Sequence, residues 1–281
     1  MANNNTIKAG VIGWPVSHSL SPRLHGFWLK KYGIDGTYDP IAVEPEKLES
    51  RLKSLSEQGF AGTNVTVPHK EAALRAVDEI DDHARRIGAV NTIVVLTDGR
   101  RRGSNTDGFG FLENLKAGAP EWRAEEGPAI ILGAGGASRA VAAALVDAGV
   151  PEISLVNRTE SRATEVAQEI GGPIKIIPWN QREDVLEDAT VVVNTTILGM
   201  VGKPPLELSL KLLPKAALVT DIVYAPLETT LLKDARAQGN PTVDGLGMLL
   251  HQARPGFAAW FGQEPEVTLE LRSHVLAGMA G

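Results

Sequence analysis

The sequence predicts an α/β protein of two domains, and three observations lead to this fold class. The chain of 281 residues is long enough for two domains. Short apolar runs alternate along it with amphipathic stretches of helical spacing. One apolar run, residues 130–132, ends in the glycine turn of residues 133–136 and opens into an Ala/Val-rich stretch. That order is typical of the Rossmann unit that binds dinucleotides.

The first half of the chain is predicted to form one α/β unit. Up to about residue 105, β-branched runs alternate with amphipathic stretches, and turn residues separate them. We expect strands at residues 11–12, 41–43, 64–67 and 90–96, and helices at residues 22–32 and 45–58.

A second α/β unit with stronger strands is predicted from about residue 108 to residue 239. Its strands are expected at residues 129–132, 153–156, 191–193 and 217–222. Helices are expected to start near Ala137 and near Thr159, where Thr159 or Asn157 is placed to cap the helix.

The end of the chain is predicted to be helical and to return to the first unit. After a glycine turn at residues 244–247, helical periodicity covers residues 248–261 and is interrupted at Pro255. A last helix is expected over residues 266–276.

Composition limits both the partners and the metal sites. The net charge is −6, 43% of the residues are hydrophobic and 22% are charged, which is ordinary for a soluble globular protein. An acidic chain without a long Lys/Arg tract argues against a nucleic-acid partner. No run approaches the ~20 apolar residues of a membrane span, cysteine is absent, and the six histidines form no H-x-x-x-H pattern. We therefore expect a cytoplasmic enzyme that acts on a small molecule, with no membrane partner and no metal.

The glycine turn and the strand after it predict the cofactor. Backbone N–H groups at the turn and at the following helix start suit a pyrophosphate, although Ser138 stands where the generic pattern has a third glycine or alanine. The next strand ends at Asn157 and Arg158, where an NAD enzyme would place an acid, and an arginine suits the 2′-phosphate of NADP. Two plainer interpretations stay open: a glycine turn with a steric role only, and a solvated arginine.

Two hydroxyls near a helix start are candidate ligands for a carboxylate. Ser19 and Ser21 come directly before Pro22, and hydroxyl donors at the positive end of a helix dipole suit an anion. The alternative is that Ser21 only caps the helix that Pro22 begins.

A lysine in polar company is the candidate acid–base group. Asn64 and Thr66 share one face of a predicted strand, and Lys70 follows shortly after. A lysine at such a place is usually solvated. The amide of Asn91 and the carboxylate of Asp107, each at another turn, favour a polyhydroxylated substrate whose proton must move.

Eight motifs together resemble one family. In order, and over nearly the whole chain, they are GWPVSHSLSP, NVTVPHK, GAVNTI, NTDGFG, GAGGASRA, NRTESR, DIVYAP and DGLGMLLHQA. On these residues the chain resembles the shikimate dehydrogenases. The resemblance implies an oxidoreductase that interconverts 3-dehydroshikimate and shikimate with NADP, in the pathway to chorismate and the aromatic amino acids. It also implies a substrate-binding domain of residues 1–106 and 245–281, with a Rossmann-like NADP-binding domain of residues 107–244 between them.

The resemblance also implies roles for individual residues. Those of the substrate site are Ser19, Ser21 and Tyr224 for the carboxylate, Asn64, Asn91, Asp107 and Gln252 for the ring hydroxyls, Thr66 in the lining, and the catalytic pair Lys70 and Asp107. Those of the cofactor site are Gly133, Ala134, Gly135, Gly136, Ala137 and Ser138 at the pyrophosphate, Asn157, Arg158, Thr159 and Arg162 at the ribose phosphate, and Gly245 and Met248 at the nicotinamide, with Thr195 as a further cofactor-binding residue. One departure is Ile197, which stands where many members carry a small hydroxyl residue.

Two alternatives stay open beside this interpretation. A quinate/shikimate dehydrogenase that uses NAD would share the fold, but Arg158 and Arg162 at a strand end without an acid argue against it. A regulator that only binds NADP or a metabolite would share it too, but would not require a proton donor such as Lys70. A monomer and a homodimer are both left open.

Overall fold

The computed structural model describes residues 6–279, and the chain divides there into two compact units. The first unit runs to Thr106 and resumes at Gln252, and the second is Asp107–His251. Each unit contains one six-stranded sheet, which confirms the predicted two-domain α/β class. The second boundary lies later than the expected one between residues 244 and 245. The reason is that the helix Leu246–Phe261 begins in the second unit and ends in the first.

The described residues form twelve strands and ten helices, besides short 3-10 turns. The strands are β1 (Ile7–Gly13), β2 (Gly36–Ala42), β3 (Gly62–Val65), β4 (Glu79–Ile80), β5 (Thr92–Val95), β6 (Arg101–Ser104), β7 (Ala129–Leu132), β8 (Ile153–Asn157), β9 (Ile174–Pro178), β10 (Val191–Asn194), β11 (Leu218–Asp221) and β12 (Thr242–Val243). The helices are α1 (Ser21–Tyr32), α2 (Leu48–Lys53), α3 (Lys70–Ala76), α4 (Asp82–Ile87), α5 (Asp107–Gly118), α6 (Gly136–Asp147), α7 (Glu160–Ile170), α8 (Thr230–Gln238), α9 (Leu246–Phe261) and α10 (Leu269–Leu276). No helix among the described residues is long and apolar enough to cross a bilayer.

The sheet of the first unit is mixed. Its strand order is β2-β1-β3-β5-β6-β4, and β5 runs antiparallel to both of its neighbours. Because β3 and β5 are antiparallel, Asn64 lies directly opposite Thr92, and their side chains share one face of the sheet. The core against the sheet is aliphatic and includes Ile12, Leu52 and Ile93, all fully buried.

The C-terminal helices pack on the first unit, as predicted. The indole of Trp260 in α9 donates to the carbonyl of Ile93 at 2.9 Å, and the indole of Trp28 in α1 donates to the carbonyl of Glu266 at 3.0 Å. The expected interruption at Pro255 is wrong, because α9 continues through this proline. Packing of the helix outweighs the loss of the backbone N–H at Pro255. The ring of Trp260 lies so close to Gly256 that a Cβ atom on residue 256 would be 2.8 Å from the ring.

His25 lies among the aromatic rings of Trp28, Tyr38, Phe257 and Trp260 in this unit. It is fully buried, its ring stacks on Tyr38 with 3.8 Å between centroids, and neither ring nitrogen has a hydrogen-bond partner in the described part of the chain. Burial lowers the pKa of His25 from 6.5 to about 3, so the ring is neutral at pH 7.

Replacing His25 by phenylalanine is expected to make the protein less sensitive to acid. Below pH 6.5 the unfolded chain binds a proton at His25 that the folded protein accepts only near pH 3. Wild-type stability therefore falls as the pH is lowered through this window, by up to about 1.4 kcal/mol per pH unit. Urea unfolding at several pH values down to about pH 4 measures the difference, with the exposed His83→Gln as control. An equally steep loss in His25→Phe would refute the assignment.

The sheet of the second unit is parallel throughout. Its strand order is β9-β8-β7-β10-β11-β12, which is the Rossmann order 3-2-1-4-5-6. The order reverses between β7 and β10, and ligands of such sheets bind at the carboxyl ends of the strands at this switch point. All four residues of β7, β10 and β11 are buried, as expected for a parallel sheet covered on both faces.

Candidate functional site

In the first unit, a buried amide is fixed at the end of β3. Asn64 donates through Nδ2 to the carbonyl of Asn91 and to Thr92 Oγ1, both at 3.1 Å. Its Oδ1 accepts from the Tyr38 hydroxyl at 2.6 Å. Both donors of the amide are therefore used within the protein, and the free capacity of Asn64 is the second lone pair of Oδ1.

The hydrogen bonds continue from Asn64 to two further predicted residues. Thr92 Oγ1 donates to Asn91 Oδ1 at 2.9 Å. Asn91 Oδ1 also accepts from the backbone N–H of Thr106, at the same distance of 2.9 Å. Asn91 Nδ2 lies 3.5 Å from Gln252 Oε1, and Thr106 Oγ1 donates to the carbonyl of Gln252 at 2.8 Å. Asn64, Asn91 and Gln252, here called the amide frame, are thus held together within one unit.

Lys70 lies beside the amide frame. It is the first residue of α3, and its carbonyl accepts from the N–H of Val90 at 2.9 Å, one residue before Asn91. The Lys70 side chain is partly exposed. The neighbouring His69 is buried and bonds through Nε2 to the carbonyl of Val43 at 2.7 Å, which leaves Lys70 as the accessible base of this segment.

The two serines at the start of α1, Ser19 and Ser21, do not act as a simple helix cap. The helix begins at Ser21 with no side-chain cap bond at its N-cap residue, Leu20, so the alternative that Ser21 only caps the helix is wrong. Ser19 Oγ instead accepts from the N–H of Ser21 at 3.3 Å. Ser21 is buried, and its hydroxyl bonds to Tyr38, which lowers the pKa of Tyr38 against a larger rise caused by burial.

Sequence reasoning missed the residues that connect these ligands. Tyr38 bonds both Ser21 and Asn64, and Thr92 and Thr106 both bond Asn91. Pairing β3 with an antiparallel β5 would have placed Thr92 beside Asn64. Nothing in the sequence pattern of β2 distinguishes Tyr38 from an ordinary core tyrosine.

The predicted lining residue Thr66 lies just beyond β3, where its N–H donates to the carbonyl of Ile12 at 2.8 Å.

In the second unit, the glycine turn between β7 and α6 has the geometry of an anion cradle. Gly133 has φ +108°, and a Cβ there would lie 2.9 Å from Thr195 Oγ1, so only glycine fits without strain. Above Gly135 and Gly136 there is open space, and no acidic residue occupies the first turn of α6. Ser138 is fully buried and donates to the carbonyl of Gly133 at 2.7 Å, so its hydroxyl closes the turn.

Two arginines follow β8. Arg158 and Arg162 are both exposed, and within residues 6–279 neither guanidinium makes an ion pair or hydrogen bond. Asn157 Nδ2 donates to the carbonyl of Thr159 at 2.9 Å, and Thr159 occupies the N-cap of α7 although its side chain accepts no cap bond. The end of β8 therefore presents two unpaired positive charges and no acid.

The remaining candidates lie at the carboxyl end of the same sheet, in α9 or at the start of α5. Thr195 Oγ1 donates to the carbonyl of Leu132 at 2.8 Å. Tyr224 is half-buried, and burial raises its pKa. The side chain of Ile197 is 56% exposed and apolar. Asp107 begins α5 and is buried, Gly245 is buried and Met248 half-buried. In the part of the chain that the structure describes, no three His, Asp or Glu side chains are grouped to hold a metal ion.

Comparison with known proteins gives a consistent result. The family model of the shikimate dehydrogenase substrate binding domain matches residues 11–93, and that of shikimate/quinate 5-dehydrogenase matches residues 120–200. The shikimate dehydrogenase (NADP(+)) of Paramagnetospirillum magneticum is 60% identical, over 96% of this chain and 98% of its own.

Two solved structures share the fold. Shikimate 5-dehydrogenase from Thermus thermophilus, in complex with NADP(H) and shikimate, has a TM-score of 0.84 and 39% identity and covers 98% of this chain and 99% of its own. Quinate dehydrogenase from Corynebacterium glutamicum, in complex with NAD, has a TM-score of 0.90 and 34% identity over 97% of this chain and 99% of its own.

Proposed function

Because the chain belongs to the shikimate dehydrogenase family, we propose that it catalyses the reversible NADPH-dependent reduction of 3-dehydroshikimate to shikimate. The structural observation that carries the proposal is the amide frame with Lys70 beside it. Amide and hydroxyl groups suit a ring with several hydroxyls, and the amine suits the proton that accompanies hydride transfer.

The first unit, residues 1–106 with the C-terminal helices, is assigned to substrate binding. Ser19 and Ser21 lie at the start of α1, where hydroxyl donors and the helix dipole favour the substrate carboxylate, and Tyr224 is assigned to the same group. The amide frame is assigned to the ring hydroxyls, with Thr66 in the lining. Because Asn64 has only Oδ1 left, it is expected to accept a hydrogen bond from a hydroxyl.

Lys70 and Asp107 are assigned as the catalytic pair. The bound NADPH supplies the hydride that reaches the carbonyl carbon of 3-dehydroshikimate. Lys70 delivers the proton that the resulting alkoxide oxygen needs, and takes it back in the reverse direction. Asp107 directly follows Thr106, whose hydroxyl and N–H are bonded to the amide frame, and we assign it to orienting the reacting hydroxyl.

The second unit is assigned to NADP. The open space above Gly135 and Gly136 leaves room for the pyrophosphate against the N–H groups at the start of α6. Arg158 lies two residues before the first residue of α7, and Arg162 lies in the first turn of that helix. Both side chains are exposed and can bind the 2′-phosphate. An NAD enzyme would place an acid where Asn157 and Arg158 end β8.

The two alternatives are not favoured. The C. glutamicum quinate dehydrogenase has the same fold, so fold alone does not separate quinate from shikimate enzymes, but it is 34% identical against 60% for an NADP-dependent shikimate enzyme. A purely binding regulator is disfavoured because the match to these enzymes extends over nearly the whole chain.

The purified protein tests the proposal in four reactions: shikimate or quinate, each with NADP or NAD, followed by NAD(P)H absorbance. Rapid reduction of NADP with shikimate is expected. A higher rate with quinate and NAD would favour the quinate enzyme, and no turnover with cofactor binding intact would favour a regulator.

Replacing both Ser19 and Ser21 by alanine is expected to weaken shikimate binding without changing NADP affinity. Each lost charge-assisted hydrogen bond is worth about 1.5–3 kcal/mol. Steady-state KM values for both ligands measure the effect. Ser54→Ala, whose hydroxyl donates to the carbonyl of Arg51, is a matched control away from the site. A fall in thermal stability with unchanged shikimate KM would mean that the serines serve only the helix.

A further inference from the structure

At the end of β11 lies a carboxylate that has no charged partner among residues 6–279. Asp221 is fully buried, and burial raises its pKa, although the bonds it accepts act in the opposite direction. Its Oδ1 accepts from Asn194 Nδ2 at 3.0 Å and from the N–H of Val223 at 2.9 Å, and its Oδ2 accepts from Thr229 Oγ1 at 2.8 Å. Burying a carboxyl on three neutral donors is costly, and such carboxyls are concentrated at functional sites.

Asp221 is one of the groups that orient the amide of Asn194. A carboxylate only accepts, so the Nδ2 of Asn194 must face it, and Oδ1 must face the loop after β10. There Asn194 Oδ1 accepts from the N–H and the hydroxyl of Thr196 at 3.0 and 2.7 Å, and Nδ2 also donates to the carbonyl of Leu198 at 3.1 Å. The loop after β10 is therefore folded around an amide that Asp221 holds.

This loop reaches the glycine turn at the switch point. Thr195 precedes Thr196, bonds to the carbonyl of Leu132, and fills the space beside Gly133. A change in the orientation of Asn194 would therefore move the wall of the predicted cofactor site.

Asp221 also holds the loop after its own strand. Its bond to the N–H of Val223 fixes the backbone directly before Tyr224. A Cβ on Gly245 would lie 2.7 Å from the carbonyl of Val223, so this backbone is also the surface on which Gly245 packs. The loops after β10 and β11 are joined once more by the N–H of Val201, which donates to the carbonyl of Ala225 at 2.9 Å.

We propose that Asp221 is a positioning residue that sets the nicotinamide half of the cofactor site by holding the loops after β10 and β11 in one arrangement. The inference rests on the proposed function, and on the roles that the family resemblance implies for Gly245 at the nicotinamide and for Thr195 in the cofactor site. Arg158 and Arg162, which follow β8, have no bond to this network. The adenosine end is therefore independent of Asp221.

Three variants separate positioning from simple stabilisation. Asp221→Ala removes all three bonds. Asp221→Asn keeps one oxygen for Asn194 and Val223, while its NH₂ faces a Thr229 hydroxyl that can accept. Thr229→Val removes only the bond between this carboxylate and the N-cap residue of α8, and it leaves the bonds to Asn194 and to the N–H of Val223 in place. Each is compared with wild type by steady-state kinetics, by thermal unfolding, and by calorimetric binding of NADP and of adenosine 2′,5′-bisphosphate, the adenosine end of NADP.

Asp221→Ala is expected to lower kcat about 10- to 100-fold and to weaken NADP binding, while the affinity for adenosine 2′,5′-bisphosphate stays unchanged. Asp221→Asn is expected to restore most of the lost activity, and Thr229→Val to lower only the thermal midpoint. If Asp221→Ala does not fold, Asn194→Ala must show the same separation between the two ligands. A lower midpoint with wild-type kinetics, or an equal loss for both ligands, would overturn the inference. Inactivity of the wild type toward shikimate would instead overturn the proposed function.

Discussion

Replacing Lys70 by alanine is expected to lower kcat about 10²- to 10⁴-fold, with little change in the KM for shikimate. Lys70 begins α3, and its backbone carbonyl is bonded to the N–H of Val90, one residue before Asn91 of the amide frame. The neighbouring His69, the other base in this segment, is buried and bonded to a backbone carbonyl and cannot substitute for it. The proton for the alkoxide would then have to come from water.

A second variant separates proton transfer from charge. Lys70→Arg keeps a positive charge but cannot give up a proton near neutral pH, so we expect a loss of the same order as in Lys70→Ala. Lys53→Ala, which removes an exposed lysine paired with Glu49 on α2, is the control and should leave kcat unchanged. Near-normal turnover in Lys70→Ala would remove Lys70 from the mechanism. Normal turnover in Lys70→Arg alone would reduce its role to electrostatics.

The strands of the second unit are predicted best from the sequence, because each strand of a buried parallel sheet is a short run of apolar residues. The predicted strands at residues 129–132, 153–156, 191–193 and 217–222 all correspond to strands of the structure, with ends that differ by a few residues. Strand β9 was missed because its residues are only partly buried or exposed and mixed with a lysine and a proline. The two-residue strands β4 and β12 are too short for any periodicity to appear.

Side-chain networks were beyond the sequence because they depend on register. The candidate residues Asn64, Asn91 and Gln252 were chosen from motifs, but Thr92 and Thr106, which between them bond to all three, were not among the candidates. A strand shifted by one residue would turn each of these side chains to the other face of the sheet. For the same reason no pattern showed that Asp221 and Asn194, at the ends of neighbouring strands, are hydrogen-bonded.

Losing Arg158 is expected to weaken NADP binding about 10- to 150-fold, the worth of a charge-assisted hydrogen bond to the 2′-phosphate. Arg158 lies directly after β8, is exposed, and has no partner among residues 6–279. NAD lacks this phosphate, so its kcat/KM should change little in Arg158→Ala. The wild type is expected to have a much higher kcat/KM with NADP than with NAD. In Arg158→Ala this ratio is expected to fall, mainly because the KM for NADP rises. Steady-state kinetics with both cofactors measures it.

Arg236→Ala is the matched control, because it removes an exposed arginine of the same unit that is already paired with Glu228. It should leave both cofactors unaffected. Arg162 lies on α7, four residues after Arg158. If both arginines bind the phosphate, either single substitution should weaken NADP binding less than the double substitution does. Since no acid stands at the end of β8 to bind a ribose hydroxyl, the double variant should lose NADP selectivity without gaining activity with NAD. Equal use of both cofactors by the wild type, or an equal loss for both in Arg158→Ala, would rule out a phosphate-binding role.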